Sequence, residues 1–165
     1  MGAALPGVFR PCRLSRRDVG GLALSDTLAP MSPERQEPRY TFSEEEVAAK
    51  SALARQFLET RRKLNAHVTA ADNFLVKRYY NLDHNTYLEG GALPAKIKEL
   101  MGLVVSAGLR CDDCIHYHII QAFRLGASRG EQEESLNVAL VVGGSIVIPH
   151  LRRAYALLAE LYPLA

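Results

Sequence analysis

The residues with the clearest chemical potential lie together in the segment 111–118, which reads CDDCIHYH. On a helix, residues three and four apart are neighbours, so Cys111 and Cys114 can close into a disulfide and His118 lies one turn beyond Cys114. A pair of thiols with a base beside it is suited to thiol–disulfide chemistry. The first hypothesis is therefore a redox-active dithiol.

Two other interpretations of this segment stay open. Free cysteines bury readily, so the pair could be small core residues. A structural zinc site could use Cys111, Cys114 and His118, and its fourth ligand would then come from His150 or Glu99.

The setting of the thiols contains opposing electrostatic effects. The pair begins a predicted helix, where free N–H groups lower the pKa of a thiol. Asp112 and Asp113 act in the opposite direction, because nearby carboxylates disfavour a thiolate. We expect these two side chains to turn sideways and cap free N–H groups, which would limit the penalty.

From Thr41 onward, the periodicity predicts one all-α domain of about six helices and no strand. Ser43 with Glu46 and Ser128 with Glu131 form capping-box patterns. Pro94 suits a first helical turn, and Gly108 a helix C-terminus. The predicted helices run from about 43 to 65, 68 to 80, 94 to 107, 111 to 125, 128 to 142 and 146 to 161, with a polar connector over 81–91.

The first 40 residues are predicted to be a disordered leader or a transit-like segment, because they are rich in Arg, Gly and Pro without periodicity. They also carry the whole net charge of +2, since residues 41–165 hold 14 Lys and Arg against 14 Asp and Glu. This balance argues against a nucleic-acid partner. We predict no membrane span and, with three cysteines and no secretory leader visible, a cytoplasmic location.

The spacing Cys111-x-x-Cys114-x-x-x-His118, followed by Gly126-Ala127-Ser128, resembles the carboxymuconolactone decarboxylase superfamily. It is most similar to the alkyl hydroperoxidase D-like branch, in which a glutamate twelve residues before the first cysteine completes the site. Glu99 stands at that position in this chain.

The resemblance covers about Leu93 to Leu161 and includes Gly143-Gly144 and Pro149 in their usual relative places. Between Thr41 and Asn85 no motif of the family is matched.

The resemblance implies an all-helical fold, assembly as a trimer or hexamer, and a disulfide redox cycle that needs no cofactor or metal. Its catalytic residues would be Glu99, Cys111, Cys114 and His118. We expect Cys114 to attack, because it is one turn from His118, and Cys111 to resolve the sulfenic acid. Glu99 would orient His118 or relay its proton.

The expected partners are a hydroperoxide substrate, or the disulfide of a partner protein, and an external thiol reductant: a lipoyl protein, thioredoxin or a small thiol. The alternative enzyme class is the superfamily's cofactor-free decarboxylase, whose members generally lack the cysteine pair. A non-enzymatic scaffold is the third class.

For five other residues we predict mainly structural roles. His116 lies off the thiol face and is predicted to be at the surface or an interface, and Tyr117 to be a packing residue. Arg152 and Arg153 are predicted to be a solvated pair. His150 either faces the site or caps the last helix.

Overall fold

The structure, a computed structural model, describes residues 35–163. Over this range the chain is helical, and an isolated bridge between Gln36 and Glu89 is the β pairing it contains. The helices are α1 (Glu44–Lys50), α2 (Ala52–Ala70), α3 (Phe74–Tyr87), α4 (Ala95–Gly108), α5 (Asp112–Arg124), α6 (Arg129–Gly143) and α7 (Ile148–Leu161), with a 3-10 turn at Ser145–Val147 before α7. The all-α prediction is confirmed.

The core lies where α4, α5, α6 and α7 pack together with α1 and α2. Helix α5 buries Ile115, Ile119 and Phe123 at helical spacing, and this fixes its rotation. Helix α7 adds the fully buried Leu157 and Leu158. Because the isoleucine face of α5 points into the core, Cys114 and His118 lie on the adjoining face of the helix, and His118 is packed against Gly102 of α4.

The first predicted helix is two helices that break at Ser51. The Ser51 backbone is extended, with φ −135° and ψ 124°, and its hydroxyl accepts a bond from the Ala54 N–H at 2.9 Å. That hydroxyl also donates to Glu160 on α7 at 2.7 Å. The break depends on a tertiary partner over a hundred residues away, so the local pattern did not reveal it.

The predictions of a helix over 68–80 and of a connector over 81–91 are wrong. Helix α2 continues to Ala70, and the break comes at Asp72, whose φ is 50°. Asn73 then caps α3, which runs on through Tyr87. The polar residues of 81–85 suggested a turn, but the side chain of Asn85 bonds to the Asn81 carbonyl within the helix.

The predicted helix ends are largely confirmed. Both capping boxes form, and Gly126 follows the end of α5 with φ 76°. Pro94 is the N-cap of α4, one position before its expected place. Gly108 is the last residue of α4, whereas the positive φ of this turn, 61°, belongs to Arg110.

Most of the predicted leader, residues 1–34, lies outside the described residues. Residues 35–40 contact the helices: Arg35 donates to the Asn85 carbonyl at 2.6 Å, and the Arg124 guanidinium lies 3.9 Å from the Tyr40 ring centroid. Within 35–163, no helix is both long and apolar enough to cross a membrane.

Candidate active site

The cysteine pair forms a disulfide at the start of α5. Cys111 is the N-cap, its Cα lies 5.2 Å from that of Cys114, and its sulfur accepts the Cys114 N–H at 3.3 Å. Both side chains are half-buried. Across residues 35–163, no group of three His, Cys, Asp or Glu side chains is arranged to hold a metal ion.

Glu99 on α4 and His118 on α5 form a buried pair. Glu99 Oε2 lies 2.7 Å from His118 Nδ1, and Glu99 is only 4% exposed. Burial raises the pKa of Glu99, and the hydrogen bond and charge of His118 offset this only in part. A carboxylate only accepts hydrogen bonds, so when Glu99 is ionised and His118 is neutral, Nδ1 carries the ring proton and Nε2 is left as the basic nitrogen.

Gly102 makes this pair sterically feasible. A Cβ at Gly102 would lie 2.5 Å from His118 Cε1 and 2.7 Å from Nδ1, closer than real atoms approach. The imidazole therefore rests directly on the backbone of α4, one turn after Glu99. The sequence analysis missed this residue; a glycine inside a helix, three positions after a candidate glutamate, was the available signal.

Cys114 and His118 both open onto a cavity of about 360 Å³ between α2, α3 and α5. Cys114, rather than Cys111, lines it. Most of the wall comes from α2 and α3, and the lining side chains include Phe57, Arg61, Leu64, Tyr79, Tyr80, Asp83, Asp113 and Tyr117. The site is thus an aromatic-walled cavity with a sulfur and an imidazole exposed in it.

Tyr117 is a packing residue, as predicted. Its ring lies edge-on to that of His118, at 5.3 Å between centroids, and the Arg61 guanidinium lies 4.4 Å from its ring centroid. Burial raises the pKa of Tyr117, since the phenolate would be poorly solvated there.

Asp112 does not cap α5 in the expected way. Its Oδ1 lies 2.8 Å from His150 Nδ1, and its Oδ2 accepts a hydrogen bond from Arg153, so both oxygens are held by α7. Burial is the largest influence and raises the pKa of Asp112, but the bonds and charges of His150 and Arg153 together outweigh it, and the pKa is lowered. Arg152 and Arg153 are both exposed, as predicted, but Arg153 also has a partner that the sequence did not indicate, because α7 brings it against α5.

His116 is half-buried rather than exposed. Its ring packs at 5.8 Å from that of Phe57 on α2, and burial lowers its pKa.

The comparisons with known proteins identify the family. The family model for the carboxymuconolactone decarboxylase family matches residues 75–157, and this chain belongs to that family. The match includes Glu99, Cys111, Cys114 and His118, and it begins on α3, in a stretch where the sequence analysis found no motif.

Among curated relatives, an uncharacterized protein of Cupriavidus necator is 38% identical over 56 residues, which are 34% of this chain and 50% of that protein. The chain thus spans about half the length of this relative.

A protein of Thermotoga maritima is a structural relative of this chain. One crystal structure of it shares 55% identity with a TM-score of 0.61, covering 64% of this chain and 92% of its own. A second has a TM-score of 0.60 and covers 64% and 89%. The latter is described as a carboxymuconolactone decarboxylase family protein with a suggested involvement in antioxidative response.

We expect Gly102→Ala to displace His118 from Glu99, because the added methyl group occupies the position of the imidazole. The free energy of unfolding should fall by about 1–3 kcal/mol in denaturant titrations, and the NMR signals of the His118 ring should shift at constant pH. Gly108→Ala is the matched control, since a Cβ there meets nothing within 4 Å. Unchanged NMR signals of the His118 ring in Gly102→Ala would contradict this account.

The raised pKa of Glu99 predicts a specific pH dependence of stability. Its pKa in the folded protein lies above its ordinary value of 4.5, so the stability that its protonated form contributes is complete below that value and is lost as pH rises through the folded pKa. The stability of wild type relative to Glu99→Gln should therefore fall as the pH is raised above 4.5 in urea titrations.

Glu131→Gln provides a control of opposite sign. The hydrogen bond from Lys96 and the backbone bond at Ser128 lower the pKa of Glu131 to about 2, so its contribution is present at neutral pH and is lost on acidification. If both variants changed in the same direction with pH, the assignment for Glu99 would be wrong.

Proposed function

We propose that this protein is a thiol–disulfide oxidoreductase with peroxidase activity of the alkyl hydroperoxidase D type. One observation carries the proposal: Cys114 of the disulfide and His118, bonded to Glu99, open onto the same cavity. The suggested antioxidative role of the Thermotoga protein agrees with it.

In the oxidative half of the cycle, the Cys114 thiolate attacks the outer oxygen of a hydroperoxide. The O–O bond breaks, the alkoxide leaves as an alcohol after taking a proton from His118, and Cys114 becomes a sulfenic acid. The Cys111 sulfur then attacks the Cys114 sulfur, water leaves and the disulfide forms.

In the reductive half, an external dithiol attacks the disulfide and passes through a mixed disulfide. Two electrons and two protons return to the cysteine pair, and the reductant leaves as its own disulfide. A lipoyl protein, thioredoxin or a small thiol could supply them, and we propose the cytoplasm as the compartment. This cycle uses no cofactor or metal.

The assignment of Cys114 as the attacking residue rests on access. It lines the cavity, which Cys111 does not, and it lies one turn before His118. Glu99 holds Nδ1, so Nε2 can take the proton of the Cys114 thiol and return it to the alkoxide.

The lyase alternative uses the same pair differently. Glu99 and His118 could perform acid–base chemistry on a lactone acid without either thiol. We favour the peroxidase because the lyase reaction would leave the cysteine pair, of which Cys114 lines the cavity, without a function.

Thiol counting tests the proposal. The reduced chain has three cysteines, and one equivalent of an alkyl hydroperoxide should remove two thiols, which dithiothreitol restores. Cys114→Ser should abolish turnover, whereas Cys111→Ser should accumulate a trappable sulfenic acid at Cys114. Cys12→Ser is the control and should behave as wild type.

Two outcomes would contradict this scheme. A sulfenic acid that forms in Cys114→Ser would reverse the roles of the cysteines. Turnover of a lactone acid with unchanged thiols would replace the peroxidase by the decarboxylase.

We also propose a homo-oligomer, a trimer or hexamer, joined through an apolar patch on α4 and α6. The patch is formed by exposed side chains that carry no charge: Met101, Val105, Leu109, Val138, Val141, Val142 and Ile146. The two helices are close at this end, since a Cβ at Gly143 would lie 3.8 Å from Gly108 Cα. A second copy suits this surface because pairing it with itself buries no charge.

The double variant Val141→Glu/Val142→Glu should lower the mass of the assembly in analytical ultracentrifugation, because these side chains are 85% and 83% exposed and folding does not need them. Leu75→Glu on α3, where the side chain is 72% exposed, is the matched control and should leave the mass unchanged. Dissociation by the control alone would place the interface on α3.

A further inference from the structure

A second charged network lies beside the disulfide and has no role in the proposed cycle. Asp112 directly follows Cys111, and its two oxygens bind different partners on α7: Oδ1 faces His150 Nδ1 and Oδ2 accepts from Arg153. Asp112 and His150 are partly buried, whereas the Arg153 side chain is mostly exposed. The first turn of α5 is thereby tied to α7.

Several charged or titratable side chains surround the cysteine pair. On α5 and the turn before it they are Arg110, Asp112, Asp113, His116 and His118; other helices bring Glu99, Arg61, His150 and Arg153. Asp113 is exposed, so water screens its charge. Asp112 is the carboxylate next to Cys111 that solvent screens least.

We propose that His150 and Arg153 are positioning residues that hold Asp112 and cancel its negative charge beside the cysteine pair, which keeps the reduced pair reactive. This inference rests on the proposed thiol chemistry. It gives the aspartate at the second position of the motif a defined electrostatic role.

The physical argument concerns the reduced state. A thiolate at the start of α5 is stabilised by the free N–H groups of the first turn. An unpaired carboxylate on the next residue would oppose that effect, because like charges raise each other's pKa. With a guanidinium on one oxygen and an imidazole on the other, Asp112 adds no net negative charge, so the helix effect dominates.

The test measures the pKa of the more acidic thiol in the reduced full chain carrying Cys12→Ser, from the absorbance of the thiolate near 240 nm and from the rate of alkylation against pH. Arg153→Met should raise this pKa by roughly one. Asp112→Asn should lower it. The double variant Arg153→Met/Asp112→Asn should return it close to the starting value. If the single variants acted only by disturbing the structure, their effects on the thiol pKa would not cancel in the double variant.

Arg152→Met is the matched control, because Arg152 is an equally exposed arginine on the same helix. It should leave the thiol pKa unchanged. Equal effects of Arg152→Met and Arg153→Met, or a higher pKa in Asp112→Asn, would overturn the inference.

These measurements are separable from the test of the proposed function. Thiol pKa values that shift as expected, without any hydroperoxide turnover, would support the inference and contradict the peroxidase. Hydroperoxide turnover with unshifted thiol pKa values would support the peroxidase and contradict the inference.

Discussion

The contact on which the site depends is the direct approach of the His118 ring to the backbone of α4. Gly102 provides the space for the ring. Glu99, one turn earlier on the same helix, forms a hydrogen bond with His118 Nδ1. The buried face of α5 sets the rotation of that helix, so the isoleucines of the core and the imidazole of the site are positioned by the same packing. A change in the α4–α5 separation would affect both.

The two sides of the disulfide differ in their surroundings. On one side Cys114 opens with His118 onto an aromatic-walled cavity. On the other, Asp112 connects the same helical turn to α7 through His150 and Arg153. The proposed chemistry takes place on the first side, and the proposed electrostatic role of Asp112 belongs to the second. Helix α5 links them because its first turn contains both cysteines.

Membership of the carboxymuconolactone decarboxylase family fixes the fold but leaves the reaction open, since function depends on the site built on a fold. For this chain the cysteine pair distinguishes the two enzyme classes. A buried Glu–His pair suits the acid–base chemistry of either class, whereas a cysteine pair with one member at the cavity suits the proposed thiol–disulfide chemistry. The Thermotoga protein, 55% identical, carries a suggested antioxidative role that agrees with the second.

The sequence alone determined the helical class, both capping boxes and the four proposed site residues, because these signals are local or have fixed spacing. It did not determine the break at Ser51, the continuation of α3 to Tyr87, or the pairing of Asp112 with α7. Nor did the sequence alone indicate the contact of Gly102 with His118. The break at Ser51 and the pairing of Asp112 depend on partners distant in the chain, and the role of Gly102 depends on packing between helices. Tertiary structure decided them because the free energy of such contacts is gained only when separate helices meet.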